Sequence, residues 1–136
     1  MEEKQIILIE DDPDHAELIM EILGKGGVKK NIILVRDGKE AIEYFQELDV
    51  KWKGVINDKI NLILLDLNLP KICGMEVLKY LKKNSKYSPV PVIILSTSSD
   101  KKTIDEAYKN GVNGFMTKPV SYEEFVKKLE SLREYC

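Results

Sequence analysis

Apolar runs of strand length alternate with stretches of helical period along this chain. Ile6–Ile9 is a continuous apolar run, followed by the acidic turn Glu10-Asp11-Asp12 and then Pro13. Asp12 before Pro13 predicts a helix start, with an N-cap carboxylate and then the residue favoured at the first helical position. Ala16, Ile19, Met20 and Leu23 follow at helical spacing, and Gly24 with Gly26 and Gly27 ends that helix. The pattern then repeats. Ile32–Val35 predicts a second strand, and Asp37 with Glu40 caps a helix carrying Ala41, Ile42, Phe45 and Leu48. Leu62–Leu65 predicts a third strand, followed by Val77, Leu78 and Leu81 on a helix. Val90–Leu95 predicts a fourth, followed by Ile104, Ala107 and Tyr108 with Gly111 as the stop. Gly114–Thr117 is a short fifth, and Ser121 with Glu124 caps a last helix bearing Tyr122, Phe125, Val126, Leu129 and Leu132. Strands that read as unbroken apolar runs belong to a parallel sheet covered on both faces, so the pattern predicts an α/β fold. The polar segment Asp49–Asn61, which holds the only tryptophan, Trp52, reads as a longer connection between the second helix and the third strand.

Composition narrows the function. A length of 136 residues predicts one domain, 1–136, with no room for a separate output domain. At 43% hydrophobic the chain can bury a sizeable core. Lys+Arg number 21 against Asp+Glu 23, so the basic excess of a nucleic-acid binder is missing. No apolar run approaches the roughly 18 residues that suggest a membrane span. Met1-Glu2-Glu3-Lys4 lacks the basic start of a signal peptide, and a cytoplasmic location is expected. Two cysteines, Cys73 and Cys136, are too few for a disulfide framework or a zinc site.

Chemistry-bearing residues gather just past the ends of four strands. Glu10 and Asp11 follow the first, Asp66 the third, Ser96 the fourth and Lys118 the fifth. In an open α/β sheet these ends converge on one crevice at the switch in strand order. Clustered carboxylates repel one another at reduced dielectric, and a divalent cation with a preference for hard oxygens, Mg²⁺, relieves this. Phosphoryl transfer needs an in-line nucleophile, a metal, and cationic or hydroxyl donors for the moving oxygens. Asp66 is the nucleophile candidate, through an aspartyl phosphate, with Lys118 and Ser96 as the donors.

Four blocks, IILIEDDP (Ile6–Pro13), LILLDLNLP (Leu62–Pro70), PVIILSTSS (Pro91–Ser99) and GFMTKPV (Gly114–Val120), occur in this order, each on a strand end. Over essentially its whole length the chain resembles the response-regulator receiver domain of two-component signalling. The resemblance implies a flavodoxin-like (βα)5 fold, a three-layer sandwich whose parallel sheet has strand order 2-1-3-4-5. It implies that Asp66 is the phosphoacceptor, Asp11 a direct metal ligand, Glu10 the acid that holds metal-bound water, and Asn68 the donor of a main-chain carbonyl to Mg²⁺. Lys118 matches the phosphate-binding lysine, and the Lys118-Pro119 bond is one the family usually holds cis. Among Ser96, Thr97, Ser98 and Ser99, the family spacing back from Lys118 selects Ser96 as the switch hydroxyl, with Thr97 lining access to the pocket. Phe115 occupies the aromatic switch position, where tyrosine is common. The LDLNLP block and the long Asp49–Asn61 connection look most like small stand-alone regulators paired with phytochrome-type histidine kinases.

Plainer readings stand beside these. Glu10 and Asp12 could simply cap the first helix, Ser96 could satisfy a backbone group, and Phe115 could be a plain core aromatic. His15, the only histidine, reads as a surface residue, and the lysines at Lys82, Lys83 and Lys86 read as a solvated helix end. His15, Leu18 and Ile22 form a second stripe beside the core-facing one, which predicts a docking surface on the first helix. In receiver domains that face, near Pro119, meets the phosphodonor module of a sensor histidine kinase or histidine phosphotransfer protein. The expected role is thus a phosphoacceptor switch rather than a turnover enzyme. It would accept a phosphoryl group in a phosphorelay and present a changed surface to a downstream protein. A homodimer through the Asp49–Asn61 loop or the last two helices stays open. A haloacid-dehalogenase-type phosphatase is disfavoured, since it wants a second acid where this chain has Asn68. So is a phosphorylation-independent module, which has no need of the complete acid–hydroxyl–lysine set.

Overall fold

The computed structural model describes residues 5–24, 31–51, 59–69, 71–97, 100–118 and 121–132. Five strands, β1 (Gln5–Ile9), β2 (Ile32–Val35), β3 (Ile60–Asp66), β4 (Val92–Ser96) and β5 (Gly114–Thr117), alternate with five helices. These are α1 (Pro13–Gly24), α2 (Gly38–Lys51), α3 (Gly74–Lys83), α4 (Lys101–Lys109) and α5 (Tyr122–Ser131). The strands form one parallel sheet in the order β2-β1-β3-β4-β5, the flavodoxin-like arrangement.

The period of two along a strand splits each apolar run between two cores. Ile7 and Ile9 of β1, Ile63 and Leu65 of β3, and Val92 and Ile94 of β4 face a layer built from Phe45 and Leu48 of α2, Val77 and Leu81 of α3, and Ala107 of α4. Their neighbours Ile6, Leu8, Leu62, Leu64, Ile93 and Leu95 face α1 and α5, through Ala16, Ile19, Leu23, Phe125 and Leu129. Both sets are buried, which is why no polar residue interrupts the runs.

The caps behave as their sequence suggests. Asp12 Oδ1 accepts from the Asp14 and His15 N–H groups at 2.9 and 3.3 Å, Asp37 Oδ1 from Glu40 at 2.8 Å, and Ser121 Oγ from Glu124 at 3.4 Å. Two expectations need correction. The segment Asp49–Asn61 is not all connection, because α2 runs on to Lys51 and β3 begins at Ile60. The intervening residues 52–58, including Trp52, lie outside the described residues. Nor is Lys82 a solvated end. Its ammonium donates to the Ser88 and Val90 carbonyls and to Asn113 Oδ1, at 3.1, 3.0 and 2.9 Å. It thereby ties the end of α3 to the entries of β4 and β5. Among the described residues, no helix is long and apolar enough to cross a membrane.

Tyr87 explains the extra turn of α2. Its ring is fully buried beside Phe45, and its hydroxyl lies 2.6 Å from both the Phe45 carbonyl and Asp49 Oδ1. One phenolic proton serves two acceptors there, and Lys86 sits 3.6 Å from the same Asp49 oxygen. Burial, reinforced by the Asp49 carboxylate, pushes the phenol above its ordinary value. A raised folded pKa means that the folded state keeps a proton the unfolded chain releases. The stabilisation is complete below the unfolded value of about 10 and drains away as pH rises past it. Tyr87→Phe should cost about 1–2 kcal/mol near neutrality through the lost hydrogen bond. It should also flatten the alkaline fall in stability. Urea midpoints of both proteins on either side of that value test this, and parallel alkaline slopes would refute it.

Candidate functional site at the strand ends

Parallel strands in this order end on one side of the sheet, and the crevice opens where β1 and β3 send their chains in opposite directions. The β1 chain leaves through Glu10, whose N–H still donates to the Val35 carbonyl at 2.9 Å. Asp66 is the last residue of β3 and Ser96 the last of β4. Lys118 follows β5 directly, held by a 2.6 Å hydrogen bond from its N–H to the Ser96 carbonyl. Glu10, Asp66, Ser96 and Lys118 are the buried polar residues among those described, at 1%, 5%, 1% and 8% exposure. Asp11 and Asn68 lie exposed at the rim.

The buried charges form a compact cluster. The Lys118 ammonium donates to Glu10 Oε1 at 2.5 Å and to Asp66 Oδ2 at 2.9 Å. Asp66 Oδ1 accepts from the Asn68 N–H at 2.9 Å, and Glu10 Oε2 from the Asp12 N–H at 3.2 Å. Burial first, and then the neighbouring Asp66 carboxylate, push Glu10 up to about 8. Burial also works against an ionised Asp66, but hydrogen bonds from Glu10, Lys118 and the Asn68 N–H outweigh it and hold Asp66 below its ordinary value. For Lys118, burial would lower the pKa, and the two carboxylates more than reverse this. Asp66 is therefore the buried carboxyl of this cluster that stays ionised at neutral pH.

Close approach of the backbone shapes the floor of the site. A Cβ on Gly74 would lie 2.3 Å from the Asp66 carbonyl oxygen and 2.6 Å from Leu67 Cα, so only glycine lets α3 begin this near Asp66. Above it, a cleft of about 420 Å³ is lined in part by Leu67, Asn68, Met75, Ser96 and Thr103. Thr97 is exposed at its edge, 3.4 Å from the Asn68 side-chain amide. Phe115 sits half-buried on β5, packed against the core shared with α2, α3 and α4.

The donor set fits a divalent cation. Glu10, Asp11 and Asp66 each offer a carboxylate oxygen, and these atoms all lie within 4.8 Å of one another. Each pair of like charges at that separation costs about 3 kcal/mol at an effective dielectric near 20. One ammonium does not offset three carboxylates, and burial, reinforced by Asp66, leaves Glu10 holding its proton more firmly than usual. Hard oxygens in this number suit Mg²⁺ or a similar ion.

The docking stripe on α1 has to be revised. Ile22 is 3% exposed and belongs to the buried layer that α1 shares with Phe125 and Leu129 of α5. Leu18 packs half-buried against the same layer. The second apolar stripe faces α5, because α1 must cover both the sheet and its neighbouring helix. His15 is not simply a surface residue either. Its ring meets Phe125 edge-on at 5.8 Å, and its Nδ1 lies 3.1 Å from the Lys118 ammonium. Nothing in the local pattern around His15 signals that contact. Pro119, and with it the Lys118-Pro119 bond, falls outside the described residues, as do Ser98, Ser99 and Cys136.

Known proteins share both the sequence and the fold. The response regulator receiver domain family matches residues 6–130. The probable methanogenesis regulatory protein FilR2 of Methanothrix harundinacea is 36% identical over 96% of this chain and 81% of its own length. The crystal structure of the Mn²⁺-bound form of response regulator Rcp1 superposes with a TM-score of 0.84 at 32% identity, covering 97% of this chain and 93% of that one. The phosphorylated cyanobacterial phytochrome response regulator RcpA gives a TM-score of 0.85 at 34% identity, covering 98% and 94%. The small-regulator resemblance of the LDLNLP block thus extends to whole structures. With the sheet, the strand-end carboxylates and nearly the full sequence in agreement, this chain belongs to the response regulator receiver domain family of two-component systems.

Proposed function

We propose that the domain is a phosphoacceptor switch, in which Asp66 takes a phosphoryl group from a phosphohistidine on a partner kinase or phosphotransfer protein. The observation that carries this reading is the buried Asp66 carboxyl, bounded by the Lys118 ammonium on one side and the Glu10 and Asp11 carboxyl groups on the other. An Asp66 carboxylate oxygen attacks phosphorus in line. The new P–O bond forms as the P–N bond to histidine breaks, and the imidazole nitrogen leaves with the electron pair. Later, water attacks the acyl phosphate and returns Asp66 as carboxylate with inorganic phosphate. Glu10, Asp11, Asp66 and the Asn68 main-chain carbonyl would hold Mg²⁺, which when bound screens the carboxylates and neutralises a phosphoryl oxygen. Lys118 binds a second oxygen, and Ser96 with a backbone N–H the third.

Phosphorylation consumes one domain per phosphoryl group, so the protein is a switch with self-directed chemistry and no turnover of small phosphate esters. Drawing Ser96 and Thr97 toward the phosphoryl group lets Phe115 change its packing and biases the surface of α4, β5 and α5 between two arrangements. A downstream protein reads that surface. The reading suits a cytoplasmic regulator, and the phytochrome regulator among the similar structures supports a phytochrome-type kinase as donor.

Incubation with Mg²⁺ and acetyl phosphate, read by intact mass, tests the proposal. The expected product carries one phosphoryl group, removed by hydroxylamine and mapped to the peptide containing Asp66. No adduct, or one mapped elsewhere, would reject it.

A further inference from the structure

The ammonium of Lys118 has three protons and no lone pair, so a buried lysine of this kind needs three acceptors. Two are the carboxylates already described. The third is the ring of His15, whose Nδ1 lies 3.1 Å from Nζ against 2.5 Å for Glu10 Oε1 and 2.9 Å for Asp66 Oδ2. The ring is held from two sides. It packs edge-on against Phe125 of α5, and the backbone N–H of His15 donates to Asp12 Oδ1 at the first turn of α1, which fixes the main chain beneath it. Because the lysine can only donate, Nδ1 must present its lone pair, which leaves the ring proton on Nε2. Asp12 Oδ2 lies 3.5 Å from the same Nδ1 and could engage it only if that nitrogen carried a proton. The two partners of His15 thus exclude one another.

We infer that His15 is a positioning residue for Lys118: it takes the third ammonium proton and so aims the other two at Glu10 and Asp66. The inference rests on the reading of Asp66 as phosphoacceptor. Once Asp66 is phosphorylated, the proton given to its Oδ2 is the one free to turn to a phosphoryl oxygen. Glu10 and His15 keep the remaining two, so the ammonium pivots about a fixed base instead of searching for its place. Without His15 the third proton loses its acceptor, and the orientation of the ammonium becomes loose at the step where phosphoryl charge must be met.

The native protein has a single histidine, so nitrogen-15 NMR reads its ring without ambiguity. The expected spectrum shows an unprotonated Nδ1 and a protonated Nε2, with the Nδ1 signal moving in Lys118→Ala. An Nδ1–H tautomer, or a signal indifferent to Lys118→Ala, would overturn the contact. The second arm measures phosphoryl uptake from acetyl phosphate with Mg²⁺. His15→Leu, which keeps apolar contact but has no acceptor, should lower the saturating rate about tenfold with little change in the half-saturating concentration. His15→Asn, whose Oδ1 replaces Nδ1, should recover to within about threefold of native. Equal losses in both variants would mean a merely structural role, and native rates in His15→Leu would mean none. If the native protein takes up no phosphoryl group at all, the reading of Asp66 fails, and the spectrum still decides whether His15 holds Lys118.

Discussion

Asp66→Ala is expected to gain no phosphoryl group under conditions that label the native protein to completion. The loss should be on the order of a thousandfold or more, as when a nucleophile is removed outright. The reason is geometric. Asp11 is exposed at the rim, and Glu10 holds its proton up to about 8, so neither neighbour offers an ionised, buried oxygen in the position of Asp66. The Asp66 carboxylate alone combines a pKa held below its ordinary value with the Lys118 ammonium at 2.9 Å. The substitution should leave the fold intact. It thins a crowded acidic cluster, leaves Lys118 paired with Glu10, and removes the neighbour that, after burial, does most to hold the Glu10 proton in place. Intact mass for uptake and urea unfolding for stability separate the two effects. A variant that labels at the native rate would transfer the acceptor role to another residue. One that fails to label because it has unfolded would reveal itself in the unfolding curve.

The sheet was legible in the sequence because its strands are buried on both faces, so each appears as an unbroken apolar run with its chemistry placed directly after it. Glu10, Asp66, Ser96 and Lys118 needed only the strand ends to be found, and the strand order brings those ends together. What local pattern could not carry are contacts between distant segments. Asp49, Val50 and Lys51 look like loop in composition, and a hydroxyl 38 residues further along fixes them as the last turn of α2. Lys82 looks like a solvated charge, and its acceptors come from the start of β4 and from Asn113, which also receives the Val92 N–H. The stripe of His15, Leu18 and Ile22 shows that α1 is apolar on more than one side. Periodicity does not say whether a helix, a partner or solvent covers that side. Here α5 does, and the same packing brings His15 to a lysine 103 residues away. In each case local pattern assigns the residue to solvent, a loop or a partner protein, and a distant segment of the same chain takes that place instead.

Lys118→Ala is the substitution with the largest expected effect on the resting state, and its size depends on metal. The native ammonium is nearly buried and paired with Glu10 and Asp66. Removing one partner of a buried ion pair leaves uncompensated charge, at a cost of about 3 kcal/mol without metal. Part of this is recovered as Glu10, already pushed up to about 8 by burial and by Asp66, holds its proton more firmly. A divalent cation should recover most of the rest. In the native protein Lys118 competes for the same carboxylates that would bind the ion, so its loss should tighten Mg²⁺ binding on the order of tenfold, by ordinary Coulomb attraction at an effective dielectric near 20. Urea unfolding with and without Mg²⁺, together with a direct Mg²⁺ titration, should therefore show a variant that is weaker than native in chelator and close to native in metal. The phosphorylated form should behave in the opposite way. With one phosphoryl oxygen lacking its cation, Lys118→Ala should accept phosphate slowly and fail to pass the change on to a binding partner. Equal Mg²⁺ affinity in the two proteins would mean that Lys118 and the metal occupy independent places. Unaltered partner binding by the phosphorylated variant would mean that the lysine plays no part in the switch.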